Sequence, residues 1–337
     1  MRKITKFVVL MTLVLMLVAC SSTGQAVETP ANESGELEKI VVSEMRGASW
    51  MPVYSAEMLG YFEEEGLDVE FIVYKDGPIA FQGMHAGDSQ FCMLSTEPVL
   101  RASEEGLKST IILPTVKNKQ YMFAISKDLE SVSDLKGKAI FGGMPGSAPY
   151  SFVLSLLSDA NVDKNDVEWI NMEYGAALAA LDNGSVAGAY FDSIYMDKVN
   201  NIGGKVVIDT SNAEDHKRLY GTEFYESQMV VVTEEFAQSN PETVQKFVNA
   251  VVRAIDWQNK HTDEEIVALV QPMFEGEDLS EIIGILRKSL TEDGNYSEEG
   301  YEAIEGFCLE QGILKESIGY ENIIDMSFVK KAWEALE

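Results

Sequence analysis

AFQGMHAGDSQFCMLST (residues 80–96) and ALAALDNGSVAGAYFDS (residues 177–193) share one pattern at an offset of 97 residues. Each reads as an apolar helix, a glycine, a short strand and a polar turn. Gly87 falls on Gly184, and Thr96 falls on Ser193. Two similar α/β lobes facing one another across a cleft between the polar turns would produce this pairing. The alternative is that all strand–helix units look alike, and the pattern alone leaves both open.

The surrounding chain has the same rhythm. KIVVSE (39–44), DVEFIVYK (68–75), SQFCML (89–94) and STIILPT (109–115) read as strands, with helical stretches at 53–59, 79–85 and 97–105. A second set follows: QYMFAIS (120–126), KAIFGG (138–143), DVEWINM (166–172), VAGAYF (186–191) and KVVIDT (205–210), with helices at 151–160, 176–183 and 193–200. After SQMVVVTEEF (227–236) the chain reads as helical, and Pro241 opens a long helix. Strands alternating with helices imply mainly parallel sheets covered by helices, an α/β fold.

The N-terminus reads as an address. Arg2, Lys3 and Lys6 precede an apolar run from Phe7 to Val18, too short to span a bilayer as a lasting helix. Leu17-Val18-Ala19-Cys20 resembles a bacterial lipoprotein signal, which implies a leader over 1–19, cleavage before Cys20 and lipid on its sulfur. Residues 20–37 are rich in Ser, Thr, Gly, Glu and Asn and read as a flexible tether. The chain is acidic, with a formal net charge of −29 that becomes −32 once the three leader cations are gone. Such a field repels nucleic acid and anionic lipid. Cys92 and Cys308 are the other cysteines; no CxxC pair exists, and His85, His216 and His261 share no metal-ligand spacing. Neither a metal nor a cofactor is expected.

MPVYSAEMLGYFEEEGLDVEF (51–71), SVSDLKGKAIFGGMPGSAPYSFVLSLL (131–157) and NPETVQKFVNAVVRAIDW (240–257) fall in an order and spacing that resembles the solute-binding proteins of ABC importers. The group is the one for nitrate, sulfonate, taurine and thiamine-pyrimidine precursors, and the resemblance runs from about residue 38 to about 275. It implies a two-lobe periplasmic binding protein fold of type II: lobe 1 from 38–118 and 228–337, lobe 2 from 119–227, joined near 116–121 and 222–228. Where members of the group commonly carry Asp, this chain has Gln90 and Ala187. Glu63, Glu64 and Glu65, on a turn after a helix, are expected to face water and hold no ligand.

A ligand would lie at turns following the strands and at helix starts. After the first strand, Arg46 offers a cation and Trp50 a stacking face. After the second, Gly77 and Pro78 stand at a helix start with exposed backbone N–H groups. After the third come Ser95 and Thr96, either of which could instead cap a helix, and Glu97, whose carboxylate disfavours nitrate and sulfonate and suits an amine or aminopyrimidine donor. In the second lobe Gly146, Ser147 and Tyr150 open a helix, and Tyr174, Tyr190 and Asp192 face it. Tyr121 and Tyr225 line the hinge. Such an inventory suits a flat heteroaromatic or small organic ligand better than nitrate, and leaves pyrimidine, flavin-like, and sulfonate or aromatic carboxylate compounds all open.

The resemblance therefore implies a lipid-anchored, extracytoplasmic, monomeric receptor that delivers a small solute to a membrane ABC permease and breaks no bond. A surface sensor is the alternative. An enzyme like the pyrimidine synthase of the same fold would need a His and Cys cluster with a metal, against which the histidine inventory argues.

Overall fold

Apolar alternation becomes ten strands in the computed structural model, which describes residues 36–145, 147–274 and 278–337. The expected leader, Cys20 and Gly146 lie outside the described residues, as does all but the end of the tether. The strands are β1 (Glu38–Glu44), β2 (Leu67–Val73), β3 (Phe91–Ser95), β4 (Ser109–Pro114), β5 (Tyr121–Ile125), β6 (Ala139–Phe141), β7 (Glu168–Ile170), β8 (Gly188–Asp192), β9 (Lys205–Asp209) and β10 (Gln228–Thr233). They form two five-stranded sheets, in the orders β2-β1-β3-β10-β4 and β7-β6-β8-β5-β9. Central β3 from Phe91 to Leu94 and β10 from Met229 to Val232 are continuously apolar and buried, whereas edge strand β2 alternates exposed and covered residues over most of its length.

Each sheet is mixed rather than parallel throughout. β10 runs antiparallel to β3 and β4, and β5 antiparallel to β8 and β9. The reason lies in the connections. The other strands in each sheet run toward a common edge, and the chain crosses between sheets at that edge. A strand arriving from the crossing therefore starts at the shared edge and runs away from it.

The two sheets have one topology, with β3 and β8 in corresponding places. The paired stretches quoted above are these units: helix Gly77–Ala86 leading into β3, and helix Tyr174–Asp182 leading into β8. Gly87 and Gly184 both take left-handed backbone, at φ 92° and 77°, which ends the helix at low steric cost.

The C-terminal residues close the first lobe and brace the crossing. The Ile111 N–H donates to Ile323 O at 2.7 Å and the Asp325 N–H to Ile111 O at 3.0 Å, covering the outer edge of β4. At the crossing, Lys117 N–H donates to Ser289 O (2.8 Å), Thr291 N–H to Thr115 O (3.0 Å) and Tyr225 N–H to Lys117 O (2.9 Å). Three chain segments thus run together between the sheets.

Helix Pro241–Lys260 buries Val244, Phe247, Val251 and Ile255 against the first sheet, with Phe247 stacked on Phe91 at 4.1 Å. Its Arg253 lies 4.0 Å over the Tyr61 ring, pairs with Glu64, and reaches Glu65 at 3.5 Å. Asn249 Nδ2 donates to the other Glu65 oxygen at 3.1 Å. So the glutamate cluster does not simply face water. Two of its members grip a guanidinium that arrives from about 190 positions later.

Candidate ligand-binding site

The strand ends meet at a seam between the lobes, and its centre is an ion pair. Glu97 stands in the first turn of helix Thr96–Glu104, directly after β3. Its Oε1 accepts from Lys119 Nζ at 2.5 Å, Ser151 Oγ at 3.0 Å and Tyr225 Oη at 3.1 Å. Lys119 belongs to the crossing segment before β5, Ser151 to helix Ala148–Asp159 of the second lobe, and Tyr225 to the return crossing. Lys119 and Tyr225 are 0% exposed, Ser151 1% and Glu97 2%. Burial alone would raise the Glu97 carboxyl; the Lys119 charge and hydrogen bond, with the Ser151 hydroxyl, hold it below the ordinary carboxylate value. Among the described residues, Glu97 Oε2 is buried with no hydrogen-bond partner.

Aromatic rings surround the ammonium. Lys119 Nζ lies 4.2 Å from the Tyr225 ring centre, 5.6 Å from Tyr220 and 6.0 Å from Tyr121, within cation–π range. Tyr121 links this cage to a second group of rings. Its ring is 5.9 Å from Tyr190, which lies 5.6 Å from Tyr174, itself 4.9 Å from Tyr195. The Tyr174 hydroxyl is 3.0 Å from Tyr190 Oη and 3.2 Å from Asp192 Oδ2. Burial and then the Asp192 charge push both phenols above their ordinary values, so they remain neutral donors and acceptors.

The sequence-derived candidates divide accordingly. Glu97, Tyr121, Tyr225, Tyr174, Tyr190 and Asp192 come together. Trp50 does not. It is 3% exposed in the first-lobe core, with its indole N–H on Met45 O at 3.1 Å, so neither face is open to a ligand. Thr96 is also internal: its Oγ1 is 2.8 Å from Glu226 O and 3.0 Å from Tyr296 Oη. Neither Ser95 nor Thr96 caps the helix through its side chain.

The two helix starts are occupied from within. Asp76 accepts from Ile79 N–H at 3.0 Å, so the start at Gly77 and Pro78 already holds a carboxylate, and Pro78 has no N–H to offer. Ser147 accepts from Tyr150 N–H at 3.3 Å, and the Tyr150 ring packs on Trp169 at 4.5 Å. Arg46 sits 3.3 Å from Glu44 Oε1 and donates to Met273 O at 3.2 Å. Glu44 also accepts from Tyr54 Oη; burial raises its carboxyl, and the Tyr54 bond and the Arg46 charge oppose that rise.

Lys119, Ser151, Tyr220 and Glu44 were not among the sequence candidates. A lysine beside a predicted strand reads as solvent-facing, and its partner carboxylate stands 22 positions earlier. Ser151 sits one turn into its helix. The run KNKQYMF (117–123), four polar residues followed by three apolar ones, carries no local sign that Lys119 points inward.

Comparison with known proteins bears on this arrangement. A family model described as "NMT1/THI5 like" matches residues 48–265. A putative aliphatic sulfonates-binding protein of Bacillus subtilis is 23% identical over 97% of this chain and 96% of its own. A formylaminopyrimidine-binding protein of Halalkalibacterium halodurans is 24% identical over 79% and 78%. A solved structure from Bordetella bronchiseptica superposes with a TM-score of 0.76 at 22% identity, covering 89% of this chain and 98% of that one. Among the described residues no helix is long and apolar enough to cross a membrane.

Proposed function

The chain belongs to the NMT1/THI5-like family, and on that premise we propose that it is the solute-binding component of an ABC importer, held outside the membrane by lipid on Cys20. The proposed cargo is a flat, nitrogen-bearing organic solute, neutral or cationic, received between the lobes and passed to a permease by hinge opening. The lobes would be 38–118 with 228–337, and 119–227.

One observation carries the ligand class. Glu97 Oε2 is a buried acceptor with no hydrogen-bond partner among the described residues, in the seam where the lobes meet. An unfilled buried polar atom costs about 1–3 kcal/mol, and a ligand N–H would recover that. The tyrosine cluster supplies ring faces and hydroxyls beside it. The cations of the first-strand turn and the crossing are already matched: Arg46 with Glu44, Lys117 with Glu292, Lys119 with Glu97. A nitrate or sulfonate group would meet a carboxylate beside each one. Of the ligands named for the relatives, formylaminopyrimidine suits this set better than an aliphatic sulfonate.

A thermal-shift panel tests the reading. Aminopyrimidines, aromatic amines, flavins, aryl and alkyl sulfonates, taurine and nitrate are each added to the purified chain. A bound ligand at a hundred times its dissociation constant adds about 2.7 kcal/mol. The expected hit is a nitrogen heteroaromatic, with no response to nitrate or alkyl sulfonates. A tight alkyl sulfonate hit would overturn the ligand class, and silence across the panel would overturn the cargo altogether.

A further inference from the structure

Three polar groups from three separate segments surround a single oxygen, Glu97 Oε1: an ammonium at 2.5 Å, a tyrosine hydroxyl at 3.1 Å, and the Ser151 hydroxyl at 3.0 Å, whose one hydrogen is shared with Ala148 O at 2.8 Å. Lys119 Nζ also lies 3.3 Å from Ser151 Oγ, so the donors are set around the oxygen as a group. In a solute receptor, such a cluster at the inter-lobe seam is the arrangement that would hold the oxyanion of a ligand. Here the oxyanion is supplied by the chain itself, on a tether of two methylenes.

We propose that Glu97 is the specificity-determining residue that keeps anionic solutes out of the seam, because its carboxylate permanently fills an oxyanion site built from Lys119, Ser151 and Tyr225. The inference rests on the seam being the solute site. An attached carboxylate acts at a far higher effective concentration than any free anion, so nitrate, carboxylates and sulfonates cannot compete for these donors. What remains available to a ligand is the other face of the same group, the acceptor Oε2. One residue therefore both refuses anions and receives N–H donors.

The test removes the internal anion and offers a free one. Glu97→Ala deletes one methylene and the carboxylate, which leaves room for acetate at the same donors. Folding stability of the full chain is measured by urea titration over a range of acetate concentrations, at ionic strength held constant with chloride. In Glu97→Ala, each tenfold increase in acetate beyond its dissociation constant is expected to raise the folding equilibrium constant about tenfold. Neither the natural chain nor Glu97→Ala/Lys119→Met, which lacks the ammonium, should show this dependence. A Glu97→Ala protein that folds only in acetate gives the same support. A folded variant indifferent to acetate overturns the proposal, and so does a variant that acetate cannot fold, since Glu97 would then be structural rather than a replaceable anion. The readout needs no cargo, so a silent solute panel and a failed acetate response are separate results.

Discussion

Lys119→Met is expected to destabilise the chain by about 3–5 kcal/mol at pH 7–8, the range for removing one member of a buried ion pair. The size follows from burial. Lys119 and Glu97 are 0% and 2% exposed, so water cannot solvate the carboxylate once its ammonium is gone. Ser151 and Tyr225 would still donate to Oε1, but neither carries charge. The loss has a pH signature. Without Lys119, burial, the largest influence on Glu97, is opposed only by neutral hydrogen bonds and lifts the folded carboxyl above its unfolded value. A raised acid stabilises the fold when protonated and loses that contribution as pH rises, so the deficit should shrink toward pH 4–5. The double variant Glu97→Gln/Lys119→Met carries no charge at this pair of positions, and it should recover most of the lost stability and lack the pH dependence due to Glu97. Urea midpoints of the three proteins at pH 5 and pH 8 check this. Equal losses in the single and double variants would mean that the pair is not coupled and that the seam tolerates an isolated carboxylate.

Much of the architecture was legible because it is written in local periodicity. Every strand named from the sequence is present, with ends shifted by a residue or two, because apolar alternation and the polar turns beside it are properties of neighbouring residues. The shared pattern at 80–96 and 177–193 survives as two equivalent sheet positions for the same reason. What escaped depends on partners distant in sequence. Trp50 stands at a strand-end turn, where an aromatic reads as a stacking face. It also begins a helix, Met51–Met58, whose residues 51–56 are all buried. That burial comes from helix Pro241–Lys260, some 200 positions later. Arg253 changes the reading of Glu64 and Glu65 in the same way. The sheets' mixed direction follows from where the chain crosses between lobes, which no strand encodes. Glu97 was legible as a carboxylate at a cleft; that its charge is already matched was not, because only folding brings Lys119 to it.

Two other buried groups near the crossing should give opposite pH slopes that mask one another in the natural chain. Glu226 sits on the return crossing, with Oε1 accepting from Ser297 N–H at 3.1 Å and Oε2 buried without a partner among the described residues. Burial dominates, and the carboxyl is raised to about 7 from the ordinary 4.5. A raised acid contributes stability below its unfolded value, and loses it as pH rises from about 4.5 to about 7. His216 is fully buried, its Nδ1–H donating to Thr222 O at 2.7 Å and its Nε2 accepting from Lys119 N–H at 3.4 Å. Burial lowers it to about 4 from 6.5, outweighing the Thr222 bond. A depressed histidine contributes stability above 6.5 and loses it as pH falls toward 4. Between pH 4.5 and 6.5 the two slopes have opposite sign, each up to about 1.4 kcal/mol per pH unit, and they largely cancel. Glu226→Gln removes one arm, so its stability relative to the natural chain should rise with pH across that window. His216→Asn preserves a donor for Thr222 O and removes the other arm, so its relative stability should fall with pH. Urea titrations at half-unit intervals separate the outcomes. The background from exposed carboxylates is common to all three proteins, so only the differences count. Parallel profiles would mean that neither group is desolvated as its burial implies, and a single sloping variant would locate the error in the other.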